Sequence, residues 1–369
     1  MPKLVALDLT NGQELFAAIA AIRDQGDAFC VLDPRDSATR RRVVLDALAP
    51  THIQNHEGRR ELSEGRATQD GDGAVVLTSG SSGQPKAAVL TWDALQHSAT
   101  LTTEALRRRA TPRWWVNLTP VHIGGLAVYL RCLFTESEPV FATSRDEALA
   151  QGATHVSLVR TQLARDDYSD FEVVLLGGGP APFAVPANVV TTYGMTETGS
   201  GIVYDGRPLR DVELRIIEGE IHVSAPTLLR CYRDEHDPTY LVSDGRRWLA
   251  TGDSGVIDGG QLSVKGRLRY VITTGGEKVW PEDVEQILHA HFGRDDLAVI
   301  GVPDEEWGQR LLLVCTESLA ESSVFTDAQN VLREAIGRWA VPKELRVIRE
   351  IPRTSNGKVA RQSLAEQMA

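Results

Sequence analysis

Apolar positions along this chain follow two rhythms, and the change from one to the other divides it into regions. Leu15, Ile19 and Ile22 recur at helical spacing and predict a helix over residues 14–23, followed by a strand at 28–32 that the Asp33-Pro34 step ends. The polar, glycine-containing stretch 52–72 predicts an exposed connector before a strand at 74–77. Short apolar runs at 116–118, 155–159, 173–176 and 189–191 then alternate with helical patterns, which predicts an α/β architecture with largely buried strands. Between Leu214 and Val264 the texture changes to short alternating strands with turns, as in a small antiparallel sheet or barrel. The last hundred or so residues return to a mixed pattern, with helices predicted at 281–291 and 327–339 and strands at 297–301, 311–316 and 344–348.

Composition narrows what such a chain can do. Its 369 residues, 42% of them hydrophobic, suffice for more than one core. A net charge of -11 gives no footprint for nucleic acid, and the triplets Arg40 to Arg42 and Arg107 to Arg109 read as solvated helix faces. Cys30, Cys132, Cys231 and Cys315 are too dispersed for a disulfide scaffold or a CxxC site and predict reduced, buried thiols. The first residues have no basic and apolar leader pattern, and no apolar run reaches the length of a membrane span, so the expectation is a cytoplasmic protein without membrane insertion.

The candidate chemistry begins at Thr78-Ser79-Gly80-Ser81-Ser82-Gly83-Gln84-Pro85-Lys86, directly after a predicted strand. Glycines admit phosphate oxygens to backbone amides, hydroxyls donate hydrogen bonds, and the lysine supplies charge. Pro85 stands where a Walker A loop requires glycine, so this is a different kind of phosphate loop. The alternative, a flexible Ser/Gly linker, fits the preceding strand and the Pro-Lys ending less well.

The string resembles the TSGTTGxPK motif of the acyl-adenylate-forming superfamily, and that superfamily's other motifs follow in order. They are Leu176-Gly-Gly-Gly-Pro-Ala-Pro182, Tyr193-Gly-Met-Thr-Glu-Thr198, Thr251-Gly-Asp253, Gly266-Arg267 leading to Thr274-Gly-Gly-Glu277, and Pro352-Arg-Thr-Ser-Asn-Gly-Lys358. The resemblance implies a large N-terminal α/β domain with a small β-barrel-like subdomain over residues 1–268 and a small mobile α+β domain over 269–369. It also implies ATP, Mg²⁺ and coenzyme A as co-substrates or cofactors. Joining a carboxylate to the α-phosphate of ATP brings two anions together, so positioning and electrostatic stabilisation must do most of the work.

By the same resemblance Lys358 reaches the carboxylate and α-phosphate, Thr196 donates to the α-phosphate, and Glu197 holds Mg²⁺. Thr78, the 79–83 loop and Lys86 cradle phosphates. Gly179, Pro180, Ala181, Tyr193, Gly194 and Met195 surround the adenine, while Asp253 and Arg267 meet the ribose or phosphates. His122, Gly124, Gly125, Thr198, Gly199 and Ser200 are expected to line the acid site, and Gly275 and Gly276 the pantetheine tunnel. The hinge is expected at Arg269, where, with Tyr270, the chain departs from the acidic residues many members carry. Within the superfamily, LTSGSSGQPKAAVLTWDAL, TPVHIGGLAVYLR, LLGGGPAP and YGMTETGSG look most like the o-succinylbenzoate-CoA ligases of menaquinone biosynthesis. Other aryl- or acyl-CoA ligases and stand-alone carrier-loading enzymes remain as alternatives, and homo-oligomer formation is left open.

Overall fold

The computed structural model describes residues 1–78, 86–106, 111–179, 185–242, 245–317, 319, 323–354 and 357–368. These fall into two compact units. The first comprises Met1–Gly177, Pro186–Leu214 and His222–Ala250; the second comprises Gly178–Val185, Arg215–Ile221 and Thr251–Ala369.

Two seven-stranded sheets build the first unit. In one, strands Leu4–Leu7, Ala28–Val31 and Asp72–Thr78 lie side by side in parallel, and Lys86–Thr91 returns antiparallel beside the last of them. Leu4, Ala6, Ala28, Cys30, Val75 and Val89 share one core cluster, so alternate residues of four neighbouring strands face the same way. The other sheet is parallel through Glu138–Val140, Arg113–Trp115, His155–Val159, Val173–Gly177 and Val189–Met195, then turns antiparallel at Ser200–Tyr204. Helix Trp92–Leu106 touches strands of both sheets and packs along helix Ile123–Phe134. That second helix is largely apolar and buries everything from Gly125 to Cys132, as expected of a helix enclosed by protein.

The 52–72 stretch differs from the expected connector. His52–Asn55 and Gly58–Glu61 form a hairpin on the edge of the first sheet, polar because an edge ribbon has little core to face. The strand expected at 116–118 lies at Arg113–Trp115, where the two tryptophans, both buried, supply the packing. Arg40 and Arg42 are solvent-exposed on helix Ala38–Leu48, and Arg41 pairs with Asp8, in keeping with a solvated face; Arg107 to Arg109 lie outside the described residues. All four cysteines are buried and free.

In the second unit, Leu297–Asp304 and Gly308–Thr316 form a hairpin, with Glu344–Ile348 parallel to its second strand. Period-two alternation sorts its side chains cleanly. Leu297, Val299, Leu311, Leu313 and Cys315 pack under helices Pro281–Phe292 and Val324–Ala335, while Ala298, Ile300, Leu312 and Val314 face helix Arg361–Met368. The helix expected at 327–339 starts and stops earlier than its pattern suggested, because Gly337, at φ 139°, breaks it before a short 3-10 turn at Arg338–Ala340.

Candidate active site

In the first unit the ends of the expected phosphate loop are neighbours, since Thr78 pairs with Lys86 across an antiparallel hairpin. A Walker loop leads from strand to helix; here strand leads to strand. Ser79, Gly80, Ser81, Ser82 and Gly83 lie outside the described residues. The Lys86 ammonium sits 4.9 Å from the centre of the Tyr232 ring.

Strand Val189–Met195 ends in the turn Thr196–Thr198, which Gly199 closes at φ 72°. The Thr198 hydroxyl accepts from the Met195 amide at 2.9 Å and lies 2.8 Å from the Ser200 carbonyl, so this buried group is committed to shaping the turn. Ser200 is also buried, its hydroxyl 2.6 Å from that of Ser98. Gly194 is required by the close approach of the next strand, for a Cβ there would lie 2.1 Å from the Ser200 carbonyl oxygen. Tyr193 is half-buried, beside Val203 on that strand. Thr196 and Glu197 remain half-exposed, and Glu197 Oε1 accepts a 3.0 Å hydrogen bond from the Tyr232 hydroxyl.

His122 stands at the N-cap position of helix Ile123–Phe134, without a side-chain capping bond. Burial holds its imidazole below the ordinary histidine value and the Arg35 charge adds to this, with Asp33 opposing. Asp33 and Arg35 form a two-point pair at 2.9 and 2.8 Å. Gly124 and Gly125 differ. A Cβ on Gly125 would strike the Thr119 carbonyl at 2.1 Å, so that glycine serves close packing, whereas Gly124 has nothing nearer than Leu118 Cδ1 at 3.9 Å and leaves open space.

One residue of this helix escaped the sequence reading. Arg131 is 3% exposed, with its guanidinium 4.5 Å from the Trp114 ring centre and a 3.3 Å hydrogen bond to Ser157. Among the described residues its Nε has no partner and no carboxylate pairs with it. A buried unpaired cation is costly, and such groups concentrate where ligands bind. The signal was a single charge inside the apolar run Leu-Ala-Val-Tyr-Leu-Arg-Cys-Leu.

The second unit gathers the other charged candidates. Asp253 and Arg267 face each other on paired strands, Oδ1 to Nε 2.8 Å, and Arg267 also donates to the Thr251 carbonyl at 2.9 Å. Lys358 belongs to the same electrostatic set. Although Lys358 is exposed to solvent, the protein packed around it pushes its ammonium below the ordinary lysine value and Arg267 adds to this, while Asp253 and Glu282 pull it back up. The lysine sits in a tight turn closed by the Thr354 amide donating to its carbonyl at 2.7 Å and flanked by the Arg353–Val359 bridge. Gly275 and Gly276, both at positive φ, form the two-residue hairpin loop between Thr274 and Glu277. Trp307 packs on Gly275, and Gly276 faces open space. Arg269 lies in a 3-10 turn with its guanidinium over Tyr270. Gly179 is open as well; Pro180 and Ala181 lie outside the described residues.

Residues 59–233 match the AMP-binding enzyme family, and 283–358 match the AMP-binding enzyme C-terminal domain. A probable 2-succinylbenzoate–CoA ligase of Mycobacterium tuberculosis is 34% identical over 355 residues, spanning 88% of this chain and 91% of the relative. The chain belongs to the AMP-binding enzyme family. Another relative of this AMP-binding enzyme is the 2-succinylbenzoate–CoA ligase of Oceanobacillus iheyensis, 29% identical over 79% of the chain and 69% of the relative. Among solved structures, the o-succinylbenzoate CoA synthetase of Bacillus subtilis with its acyl-adenylate intermediate superposes with a TM-score of 0.84 at 25% identity, covering 98% of this chain and 88% of that one. The same synthetase with ATP and magnesium gives 0.82 at 25% identity, covering 98% and 89%. The adenylate-forming fold expected from the motifs is therefore the fold of this chain.

Proposed function

We propose that the chain is an AMP-forming acid-CoA ligase converting o-succinylbenzoate, ATP and coenzyme A to o-succinylbenzoyl-CoA, AMP and diphosphate. The observation that carries this reading is the near full-length kinship with a 2-succinylbenzoate–CoA ligase. In the first half-reaction a carboxylate oxygen attacks the α-phosphorus and diphosphate leaves. Lys358 offsets the charge of carboxylate and phosphate, Thr196 donates to an α-phosphate oxygen, and Asp253 accepts from the ribose hydroxyls while Arg267 holds its carboxylate. Lys86 contacts the outer phosphates. In the second half-reaction the coenzyme A thiolate attacks the acyl carbonyl along Gly275 and Gly276, and AMP leaves.

Glu197 suits Mg²⁺, because among the described residues Tyr232 takes one of its carboxylate oxygens and the half-exposed position admits water and phosphate. Among the described residues no cluster of three or more acidic, histidine or cysteine side chains forms a cage, which fits an ion that takes most of its ligands from phosphate and water. When bound there, Mg²⁺ neutralises charge on the phosphate oxygens. The boundary between adenylation core and mobile domain is proposed at 268/269, with the hinge at Arg269. No helix among the described residues is long and apolar enough to cross a membrane, and a cytoplasmic location is proposed.

The second carboxylate of the substrate is assigned to Arg131, the buried guanidinium on the helix that also carries Gly124. The test is kcat/KM for a panel of acids. o-Succinylbenzoate is expected to exceed benzoate or a medium-chain fatty acid by at least about tenfold, since an unpaired buried cation costs more than the roughly 1.4 kcal/mol that a factor of ten represents. Arg131→Met should erase most of that preference. A wild-type preference for either monoacid moves the assignment to another aryl- or acyl-CoA ligase.

A further inference from the structure

We propose that Tyr232 is a positioning residue for adenylation, setting the Glu197 carboxylate for Mg²⁺ and the Lys86 ammonium for phosphate from one rigid ring; this rests on the reading of Glu197 and Lys86 given above. The ring makes both contacts itself, a 3.0 Å hydrogen bond from its hydroxyl to Glu197 Oε1 and a 4.9 Å approach of Lys86 Nζ to its centre. Tyr232 is buried and stacks against His236 at an interplanar angle of 14°, so its hydroxyl has little freedom to wander.

Its backbone is fixed to the same two elements. The Leu229 amide donates to the Glu197 carbonyl at 2.8 Å, the Arg230 amide to Val89 at 2.8 Å and the Arg233 amide to Ala87 at 2.7 Å, and Tyr232 pairs with Ala88 in the sheet. The Arg230 side chain holds the fully buried Asp72 at 2.8 and 3.0 Å, which ties in the strand leading to Thr78. Residues 229–233 thus clip the Thr196–Thr198 turn to both strands of the phosphate-loop hairpin. A carboxylate and an ammonium that must act on one triphosphate need a fixed separation, and left free they would pair with each other. Tyr232 supplies a donor to one and an electron-rich face to the other.

The test is a double-mutant cycle with Mg²⁺ as the variable. Tyr232→Phe removes the hydroxyl and keeps the ring. It is expected to raise the Mg²⁺ concentration for half-maximal diphosphate release about tenfold, the scale of one hydrogen bond to a charged group, with the rate restored at saturating Mg²⁺. ATP affinity measured by calorimetry without acid should weaken when Mg²⁺ is present and stay unchanged when it is absent. Tyr232→Leu, which also removes the ring beside Lys86, should weaken ATP binding in both conditions. In a Glu197→Gln background Tyr232→Phe should add nothing. If Tyr232→Phe lowers the rate equally at all Mg²⁺ concentrations, or its effect adds to that of Glu197→Gln, the positioning role is overturned. If Glu197→Gln alone leaves the Mg²⁺ requirement unchanged, the Glu197 assignment itself is wrong and the proposal falls with it.

Discussion

Lys358 illustrates how a single charge is tuned by neighbours of both signs. Desolvation and Arg267 depress its pKa, while Asp253 and Glu282 raise it, so the ammonium assigned to adenylation is held partly by neighbouring carboxylates. The sign of the consequence is fixed. Only protonated lysine offsets anionic charge, so adenylation should fail as pH rises through the depressed pKa, below where a free lysine titrates. Glu282→Gln removes one of the two raising charges, and the alkaline limb of diphosphate release should move to still lower pH. Arg361 keeps its two-point pair with Glu285 in that variant, so the fold around the site persists. An unmoved alkaline limb in Glu282→Gln, measured at saturating ATP and acid, would show that Glu282 does not act on Lys358.

At the scale of elements, the helix that follows Lys358 is anchored by a buried ion pair. Arg361 donates to both Glu285 oxygens at 2.7 Å and to the Val299 carbonyl at 2.8 Å, joining helix Arg361–Met368 to helix Pro281–Phe292 and the central hairpin. Arg361→Met leaves Glu285 buried without its counter-ion. Loss of one partner of such a pair costs about 3–5 kcal/mol, against about 0–1 for an exposed pair such as Arg210–Glu104. Hydrogen exchange across residues 281–292 and 361–368 should therefore accelerate strongly in Arg361→Met, and nothing comparable should occur around Arg210→Met. Equal, small effects would place the stability of this unit in its apolar faces alone. The elements that carry those faces were readable beforehand, because the apolar runs at 297–301 and 311–316 and the helix at 281–291 follow from local sequence. The hairpin at 52–61 was not, since polar edge strands carry little apolar pattern. Arg131 was missed for a related reason: a lone charge in an apolar run marks it, and packing against Trp114 and Ser157 gives that mark its meaning.

For the whole molecule, the motif order carried the fold, because each motif marks a turn between elements and the turns recur in a fixed sequence. Roles within the motifs were less legible. Thr198 and Gly125, both expected along the acid site, carry structural duties as well: one fastens its own turn and the other admits a neighbouring backbone. Lys358 and Gly276 make the sharper pair, since they lie in separate loops of the second unit and are assigned to separate half-reactions. Lys358→Ala should nearly abolish acyl-AMP formation and spare conversion of supplied acyl-AMP to thioester. Gly276→Leu should do the reverse. Its Cβ meets nothing within 4 Å, so there is room for the side chain, and the cost at φ 88° is backbone strain of about 1–2 kcal/mol confined to the hairpin loop. The loop should survive that strain while the leucine obstructs the thiol path, leaving a single-turnover burst of diphosphate with little thioester. If both variants lose both half-reactions in proportion, the two loops do not divide the labour, and one fixed arrangement must serve both steps.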